Sequence, residues 1–538
     1  MASIDPRTGP LGVRLAKHLL RRATYNVTQD RINYFATLTA QQALAELNVV
    51  PSPSIPEPLD PETGDYWINQ GSDPSSGDFA LKQYVKGWWL DQARQDPGIG
   101  HKMMFFLHAN FVVHSNTLTS QYNFDYYQLL RHYALGDFKA LTVKMSIDNM
   151  MLDYLDGRYS NKYNPNENYA REFLELFTIG KGDQAGPDDY TNYTEQDVQE
   201  GAKLFTGWRL GDRIAEYIDP DTGLYQGYAD PNRHDTTNKQ FSHRFQNQVV
   251  TGRSDAAGML QEIEDYCDIV LGQAETAKFI CRKLYRYFVS SHITTEIETD
   301  IIVPMANTFR ANYNLGAAVT QLLTSKHFYG ENADGSSSEK VMGGLLKNPM
   351  ELVLQTLNYF NVPIPDPVTQ TDDHYRNFYR IGLLYDMFEV AGFLLYEPTS
   401  VAGYEPYYQS PGFNRGWFSS SSIIARYKVP ETLLTGEREF WGGSLGTQLD
   451  FVQWVDDNIS TPVDPQILID ELLDNLFVEV PGTERKAYYL NTVLLDGVPM
   501  GEWSTAWATY QGGDRSAVEG PLNRLFTSII YSQEYQLS

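Results

Sequence analysis

The spacing of apolar residues is the feature that most constrains the fold of this 538-residue chain. Segments such as AETAKFICRKLYRYFVS (274–290) place apolar residues three or four positions apart, as one face of an α-helix requires. Alternation of apolar and polar residues, which would indicate strands, is scarce. The sequence therefore predicts a mainly α, multi-helix protein with long Tyr-, Gly- and Pro-rich loops and at most minor hairpins.

Further helices are expected where the same spacing recurs, at 11–47, 124–135, 138–148, 195–208 and 315–325. Thr39 is expected to cap one of them, and the polar insertion at 209–245 suits loops with a short hairpin. The chain is longer than one ordinary core. We expect an N-terminal helical lobe at 1–330, a flexible junction at 331–340 and a C-terminal helix-and-loop lobe at 341–538, although the chain can also form one continuous domain.

The composition is that of an acidic folded protein, with a formal charge of −26 and a pI near 4.7. This charge argues against nucleic acid and anionic membranes as partners. No apolar run is long enough to cross a bilayer, and no signal peptide is visible, so the chain is expected to be soluble and cytoplasmic by default, with export or envelope association left open. Cys267 and Cys281 are expected to be buried thiols rather than a disulfide.

The segment NENYAREFLELFTIG (166–180) concentrates polar residues within an apolar helical pattern. Read as a helix, it aligns Asn168, Glu172 and Glu175 on one stripe. One interpretation is a solvated face with an Arg171–Glu175 pair and a glycine at the helix end. The other is an inward ExxE pair, in which two carboxylates share a divalent metal or a proton.

A series of motifs resembles a known family. They are HLLRRATY (18–25), LHANF (107–111), LLRHYALGDF (129–138), NENYAREFLELFTIG, YTEQDV with LFTGW (193–208), RHD (233–235) and FICRKLYRYFVS (279–290). In this order they resemble the bacterial domain of unknown function 1800 (DUF1800) family over nearly the whole chain. The stretch SVAGYEPYYQSPGFNRGWFSSSSIIARYK (400–428) is similar to Bacteroidetes-type members.

The resemblance implies a partner but no activity. Genes of this family often lie beside genes for exported proteins of the sulfatase and alkaline phosphatase-like class, so such a protein is the expected partner. The family pattern W-H-x-H-F also differs here, because Leu107 precedes His108 and Asn110 replaces the second histidine. If that histidine pair bound a metal, this chain would have lost one ligand.

The candidate site gathers residues from these motifs. Its expected catalytic residues are Arg171, Glu172, Glu175 and His108, its expected metal ligands are Glu172, Glu175, His108, His234 and Asp235, and Asn166 and Asn168 are expected to bind ligand. A mixed His and carboxylate set suits zinc, manganese or iron, and an all-oxygen subset suits calcium or magnesium. A buried carboxylate pair would instead supply a general acid and a base. The alternative is a polar network that joins helices.

Lys278, Arg282 and Arg286 form a basic stripe, which is either an anion site or a set of ion pairs with an acidic helix. P-loop, GxGxxG, GxSxG, HExxH and CxxC motifs do not occur, which disfavours the corresponding chemistries. Two functions stay open. The first is an enzyme, with a divalent metal as its candidate cofactor, that acts on an extracellular or envelope polymer. The second is a non-catalytic assembly protein with a Tyr-rich partner interface at 404–417.

Overall fold

The computed structural model describes residues 1–50, 56–69, 73–336, 341–437 and 445–538. Its architecture is mainly α, which confirms the sequence prediction. The α-helices of the described residues are α1 Gly12–Ala23, α2 Gln29–Ala36, α3 Ala40–Leu47, α4 Asp78–Gln95, α5 Gly100–Asn110, α6 Ser120–His132, α7 Phe138–Ser146, α8 Asn149–Tyr154, α9 Glu167–Glu172, α10 Glu195–Leu204, α11 Ala256–Leu271, α12 Ala274–Phe288, α13 Thr295–Ile297, α14 Val303–Asn312, α15 Leu315–Thr324, α16 Pro349–Tyr359, α17 Glu405–Tyr408, α18 Ser422–Thr435, α19 Phe451–Asn458, α20 Pro465–Leu476, α21 Thr483–Ala487, α22 Met500–Gln511 and α23 Ser516–Ile530.

Shorter elements complete the fold. The π-helices are Phe173–Thr178, Glu298–Ile302, Asp373–Glu389 and Tyr488–Leu494. The 3₁₀ turns are Gly157–Tyr159, Ala215–Tyr217, Pro231–Arg233, His243–Phe245, His327–Tyr329, Phe413–Trp417 and Glu534–Gln536. The strands β1 Gln184–Gly186 and β2 Asp189–Tyr190, β3 Trp208–Arg209 and β4 Tyr228–Ala229, and β5 Lys239–Gln240 and β6 Val249–Val250 form three antiparallel pairs. The last two pairs place short hairpins within and beside the polar insertion.

Local signals in the sequence explain several helix starts. Thr39 accepts a hydrogen bond from the backbone N–H of Gln42, whose side chain bonds back to Thr39, so α3 begins with a capping box. The N-cap Asp137 accepts the N–H groups of the first turn of α7. At the other end of the signature segment, Gly180 has a φ of +76°, which allows the chain to leave the helix in the left-handed region.

Buried residues from both predicted lobes form one hydrophobic core. Helix α1 lies at their junction, where buried Arg21 donates to the carbonyls of Asn475 and Leu476 at 2.8 Å and Lys17 donates to the carbonyls of Asp474 and Phe477. These acceptors are the unpaired carbonyls at the C-terminal end of α20. The division into lobes stays a prediction, and residues 337–340 of the expected junction lie outside the described residues.

Two predictions from composition can be compared directly with the structure. Cys267 and Cys281 are both buried and free, as expected. Within the described ranges, no helix is both long enough and apolar enough to span a membrane.

Candidate functional site

The signature segment forms one continuous helix that changes type part-way. Helix α9 passes at Phe173 into a π-helix that ends at Thr178, and Thr178 donates its hydroxyl to the carbonyl of Phe173 at 2.6 Å. Phe173 and Phe177 are buried, whereas Glu172 and Glu175 are half-buried. Because a π-turn is wider than an α-turn, the side chains after Phe173 are rotated relative to a regular helix. Such turns are frequent at functional sites.

The acidic stripe is held by partners from outside the segment. Arg171 donates to both carboxylate oxygens of Glu195 at 2.6 and 2.8 Å and also contacts Glu167. Glu175 accepts the Tyr193 hydroxyl at 2.9 Å and pairs with Lys181 at 3.2 Å. The expected Arg171–Glu175 pair is therefore wrong, because a better placed carboxylate on α10 takes the guanidinium.

Glu172 differs from its neighbour Glu175. It makes no hydrogen bond or ion pair within the described part of the chain. Burial, together with the charge of Glu175, raises the pKa of its carboxyl group above the ordinary value. This direction is the one that a shared-proton pair requires, but the two carboxylates have different surroundings, and only Glu175 is neutralised by a cation.

Asn166 and Asn168 lie at the start of the same helix. Asn166 is the N-cap of α9, accepts the backbone N–H of Asn168 at 2.9 Å, and donates its amide to the carbonyl of Leu155 at 3.2 Å. Asn168 is exposed. The first asparagine therefore anchors the preceding loop, while the second is accessible to solvent.

His108 lies in an aromatic core rather than beside the glutamates. Its Nδ1 contacts the Tyr126 hydroxyl at 3.0 Å, and the rings of Tyr396 and Tyr404 pack around it. Nε2 is buried with no hydrogen-bond partner. Burial lowers the pKa of the imidazole to about 3, so His108 is neutral near pH 7.

His234 belongs to a second buried polar network. Its Nδ1 faces the carbonyl of Thr206 at 2.8 Å, and its Nε2 faces Glu262 at 3.2 Å. Glu262 also accepts from Lys239 at 2.6 Å, and all three side chains of the His234, Glu262 and Lys239 group are fully buried. Asp235 instead closes a local turn by accepting from the backbone and hydroxyl of Thr237, and these bonds lower the pKa of its carboxyl group. Sequence reasoning missed Glu262 and Lys239, which carry no local motif.

The expected metal ligands thus occupy separate surroundings. Across the described ranges, no group of three or more His, Cys, Asp or Glu side chains is arranged to hold a metal ion. A local acidic loop at Asp219 and Asp221 is occupied by the ammonium group of Lys144. Metal binding by the signature residues stays a prediction, which elemental mass spectrometry of chelator-free protein tests.

The basic stripe on α12 is divided between two environments. Lys278 pairs with Glu275, and Arg282 contacts both Glu275 and Glu298. These two residues form the ion pairs that the second interpretation of the stripe requires. Arg286 has no ion pair or hydrogen bond in the described part of the chain, its guanidinium lies 5.0 Å from the ring centroid of Phe413, and its Nε is buried without a partner.

Arg286 lines a cleft together with a lysine that sequence analysis did not single out. Lys283 Nζ donates to Asn110 Oδ1 at 2.7 Å and to the carbonyl of Leu176 at 2.6 Å, at the end of the π-helix. Burial, together with the charge of Arg286, lowers the pKa of Lys283 to about 7. The remaining walls come from α5, α12 and the Tyr-rich segment, namely Phe106, Ala109, Tyr287, Ala402, Tyr407 and Tyr408. The sequence signal that could have identified Lys283 is its position between Arg282 and Arg286 of the basic stripe.

The signature segment and the FICRKLYRYFVS motif therefore contact each other beside this cleft, where Lys283 donates to the carbonyl of Leu176. A family model described as "Protein of unknown function (DUF1800)" matches residues 18–537. The chain belongs to this DUF1800 family. No curated protein and no solved structure matches it.

In this DUF1800 protein, the aromatic side chains at the two ends of the Tyr-rich segment are part of the interior, whereas half of its residues are exposed. Tyr404 and Trp417 are buried, and Tyr407 packs against Tyr287 of α12 with ring centroids 5.4 Å apart. Tyr407 also accepts a hydrogen bond from the Asn348 amide at 3.1 Å. These rings join the C-terminal region to α5 and α12 and form one wall of the cleft.

Proposed function

We propose that this DUF1800 protein binds an acidic polymer through the cleft, with Lys283 and Arg286 contacting carboxylate or sulfate groups. One observation carries the proposal: two basic side chains converge on a cleft without a carboxylate partner, in a chain whose net charge is −26. Cations in an acidic protein are usually paired, as Arg282 is with Glu275 and Glu298. Two basic side chains without a carboxylate partner at one cleft favour an anionic ligand.

The two basic side chains would take different roles in this proposal. Arg286 offers a planar fork of N–H donors, which matches a carboxylate or sulfate. Lys283 is held in place by Asn110 and by the carbonyl of Leu176. The rings of Tyr287, Tyr407 and Tyr408 supply flat apolar surface, which suits the ring of a sugar. An acidic polysaccharide combines these two chemistries.

A second candidate is turnover of the same polymer, and the state of Lys283 favours it. A neutral amine has two N–H donors and one lone pair. Its two donors match the two acceptors present, Asn110 Oδ1 and the Leu176 carbonyl, which leaves the lone pair free. With a pKa of about 7, Lys283 can act as a general base near neutral pH.

The reaction that suits these groups is β-elimination in a uronic acid chain. Lys283 Nζ would take the proton next to the carboxylate, and Arg286 would stabilise the negative charge that develops there. The electron pair would form a C=C bond as the glycosidic C–O bond breaks. The Tyr408 hydroxyl, which has no hydrogen bond within the described residues, would protonate the leaving oxygen.

Binding is tested with polygalacturonate and dextran sulfate as probes, by isothermal titration calorimetry. We expect Lys283→Met and Arg286→Met to weaken binding by about tenfold or more, since each removes a charged contact. Arg282→Met is the matched control, because it removes the same charge from the same helix but not from the cleft, and its affinity should stay within about twofold. Equal losses in all three variants, or no binding by the wild type, would contradict the proposal.

Turnover is measured separately, through the ultraviolet absorbance of an unsaturated uronate product. Binding without this product would retain the binding proposal and remove the elimination step. The expected sulfatase-like partner and the extracellular location of the polymer stay predictions.

A further inference from the structure

The loop before the signature helix carries two tyrosine side chains that are highly exposed to solvent. Tyr159 is 60% exposed and Tyr163 is 86% exposed, and no other large apolar side chain in the described ranges is as exposed as Tyr163. A folded chain normally buries such rings or packs them against a neighbour. Exposed tyrosines on an ordered loop therefore indicate a surface that contacts something else.

The loop is fixed in place by hydrogen bonds. Asn161 and Asn164 form an isolated antiparallel bridge at its tip, and the backbone N–H of Lys162 donates to the carbonyl of Arg233 at 2.7 Å. At its base, the backbone N–H of Asn166 donates to the Ser160 hydroxyl at 3.0 Å. The rings are thus presented by a rigid turn, which lowers the entropy cost of binding.

Each of the two rings lies close to one cation. The Arg158 guanidinium lies 4.6 Å from the ring centroid of Tyr159, and the Lys162 ammonium lies 5.4 Å from that of Tyr163. These cation–π contacts restrain the orientation of each ring. The high exposure of both side chains leaves most of each ring accessible to solvent.

The charges around the loop are close to balanced. Arg158 pairs with Asp153 at 2.6 Å, and Arg233 pairs with Asp230 at 3.2 Å. Within residues 156–168, the exposed charged residues are Asp156, Lys162 and Glu167, which amount to one cation and two carboxylates. The exposed polar groups of residues 157–168 are the amides of Asn164 and Asn168 and the opposite charges of Lys162 and Glu167, and Asn161 is half-buried between the tyrosines.

We propose that this loop, residues 157–168, is a docking site for a neutral polysaccharide. Sugar rings present a face of C–H bonds that packs on an aromatic ring, and their hydroxyl groups exchange hydrogen bonds with amides. A single-stranded nucleic acid also stacks on aromatic rings, but its phosphates require a surplus of positive charge that this balanced loop does not provide. The site is independent of the Lys283 cleft and extends the proposed function.

The test is affinity gel electrophoresis of the full chain in gels that contain dextran, amylose, a soluble β-glucan or mannan. We expect at least one of these probes to retard the wild type, and Tyr159→Ser and Tyr163→Ser to weaken that retardation about tenfold or more. Tyr488→Ser is the matched control, because Tyr488 is 44% exposed and Arg485 also lies over its ring, yet it belongs to another surface.

The outcomes separate this proposal from the one on the cleft. The Tyr variants should retain wild-type affinity for polygalacturonate, and Lys283→Met should retain wild-type retardation in the neutral gels. Absence of retardation in all four gels would overturn the docking site. Retardation lost equally in the Tyr488 variant would also overturn it, as would binding of poly-uridylate that depends on Tyr159 and Tyr163.

Discussion

Helices α1 and α12 both carry basic residues, but the structure uses them differently. On α1, Lys17 and Arg21 are buried and donate to the carbonyls that end α20. On α12, Arg282 is neutralised by glutamates, while Lys283 and Arg286 reach a cleft. The helical spacing of the cations is similar in both cases. The difference shows that the acceptors around a cation, rather than its position on a helix, decide whether it stabilises the fold or faces a ligand.

The largest effect is expected from the buried side of this comparison. Arg21→Met should lower the free energy of unfolding by about 3 kcal/mol, because it leaves two buried carbonyls without a donor at the negative end of a helix. Urea denaturation measures the change. Arg14→Met is the control on the same helix as Arg21. It removes an exposed ion pair between Arg14 and Glu479 and should cost less than about 0.5 kcal/mol. Equal costs for the two variants would contradict a structural role for Arg21.

Lys17 on α1 and Lys283 on α12 should give the folded protein the same dependence of stability on pH. Burial lowers the pKa of Lys17 and of Lys283 to about 7 in the folded protein. The unfolded chain, in which lysine keeps its ordinary value near 10.4, therefore binds more protons between about pH 7 and 10. Each lysine should make the folded state more stable as the pH rises through this window, by about 2 kcal/mol from pH 7 to 9.

Urea denaturation at pH 7 and pH 9 checks this effect. Lys17→Met and Lys283→Met should each lack the corresponding gain in stability. Only Lys283→Met should also lose affinity for polygalacturonate. A Lys17 variant that binds the polymer more weakly would break the distinction between a structural and a ligand-facing lysine.

A smaller effect is expected at the neutralised part of α12. Arg282→Met should destabilise the fold by about 1 kcal/mol, because it removes contacts to Glu275 and Glu298 that are only partly buried. Thermal unfolding monitored by circular dichroism measures the loss. High salt should lower the stability of the wild type towards that of the variant, since partly exposed ion pairs are screened. A stability loss as large as that of Arg21→Met would show that this pair is more than a surface contact.

The smallest effect extends the comparison to acidic residues. Glu172→Gln should raise stability by less than about 0.5 kcal/mol at pH 7, because burial and the charge of Glu175 raise the pKa of the Glu172 carboxyl group and disfavour its charged form, while solvent screening of this partly exposed side chain keeps the effect small. Glu175→Gln should instead cost about 1 kcal/mol, since Glu175 accepts from Tyr193 and Lys181. The gain from Glu172→Gln should disappear at acid pH, where the wild-type carboxyl is protonated. A large loss in the Glu172 variant would contradict its lack of a partner.

Parts of this outcome could be predicted from local sequence alone. The N-cap Thr39 follows from local spacing, and the free thiols follow from composition. The π-turn at Phe173 could not be predicted, because a helical pattern does not show where one extra residue widens a turn. The pairing of Arg171 with Glu195 was also hidden, because it joins two helices that are separated in the chain.

The sequence by itself determined the mainly α architecture and the membership of the DUF1800 family, since both depend on patterns that are read along the chain. Only the tertiary structure decided which charged residues are paired within the fold and which line a cleft. His108 and Glu172 lie in separate surroundings, whereas Asn110, Leu176 and Lys283 meet. The physical reason is that buried charges take whichever acceptors the packing of distant helices brings within hydrogen-bond distance, and no local pattern specifies those acceptors.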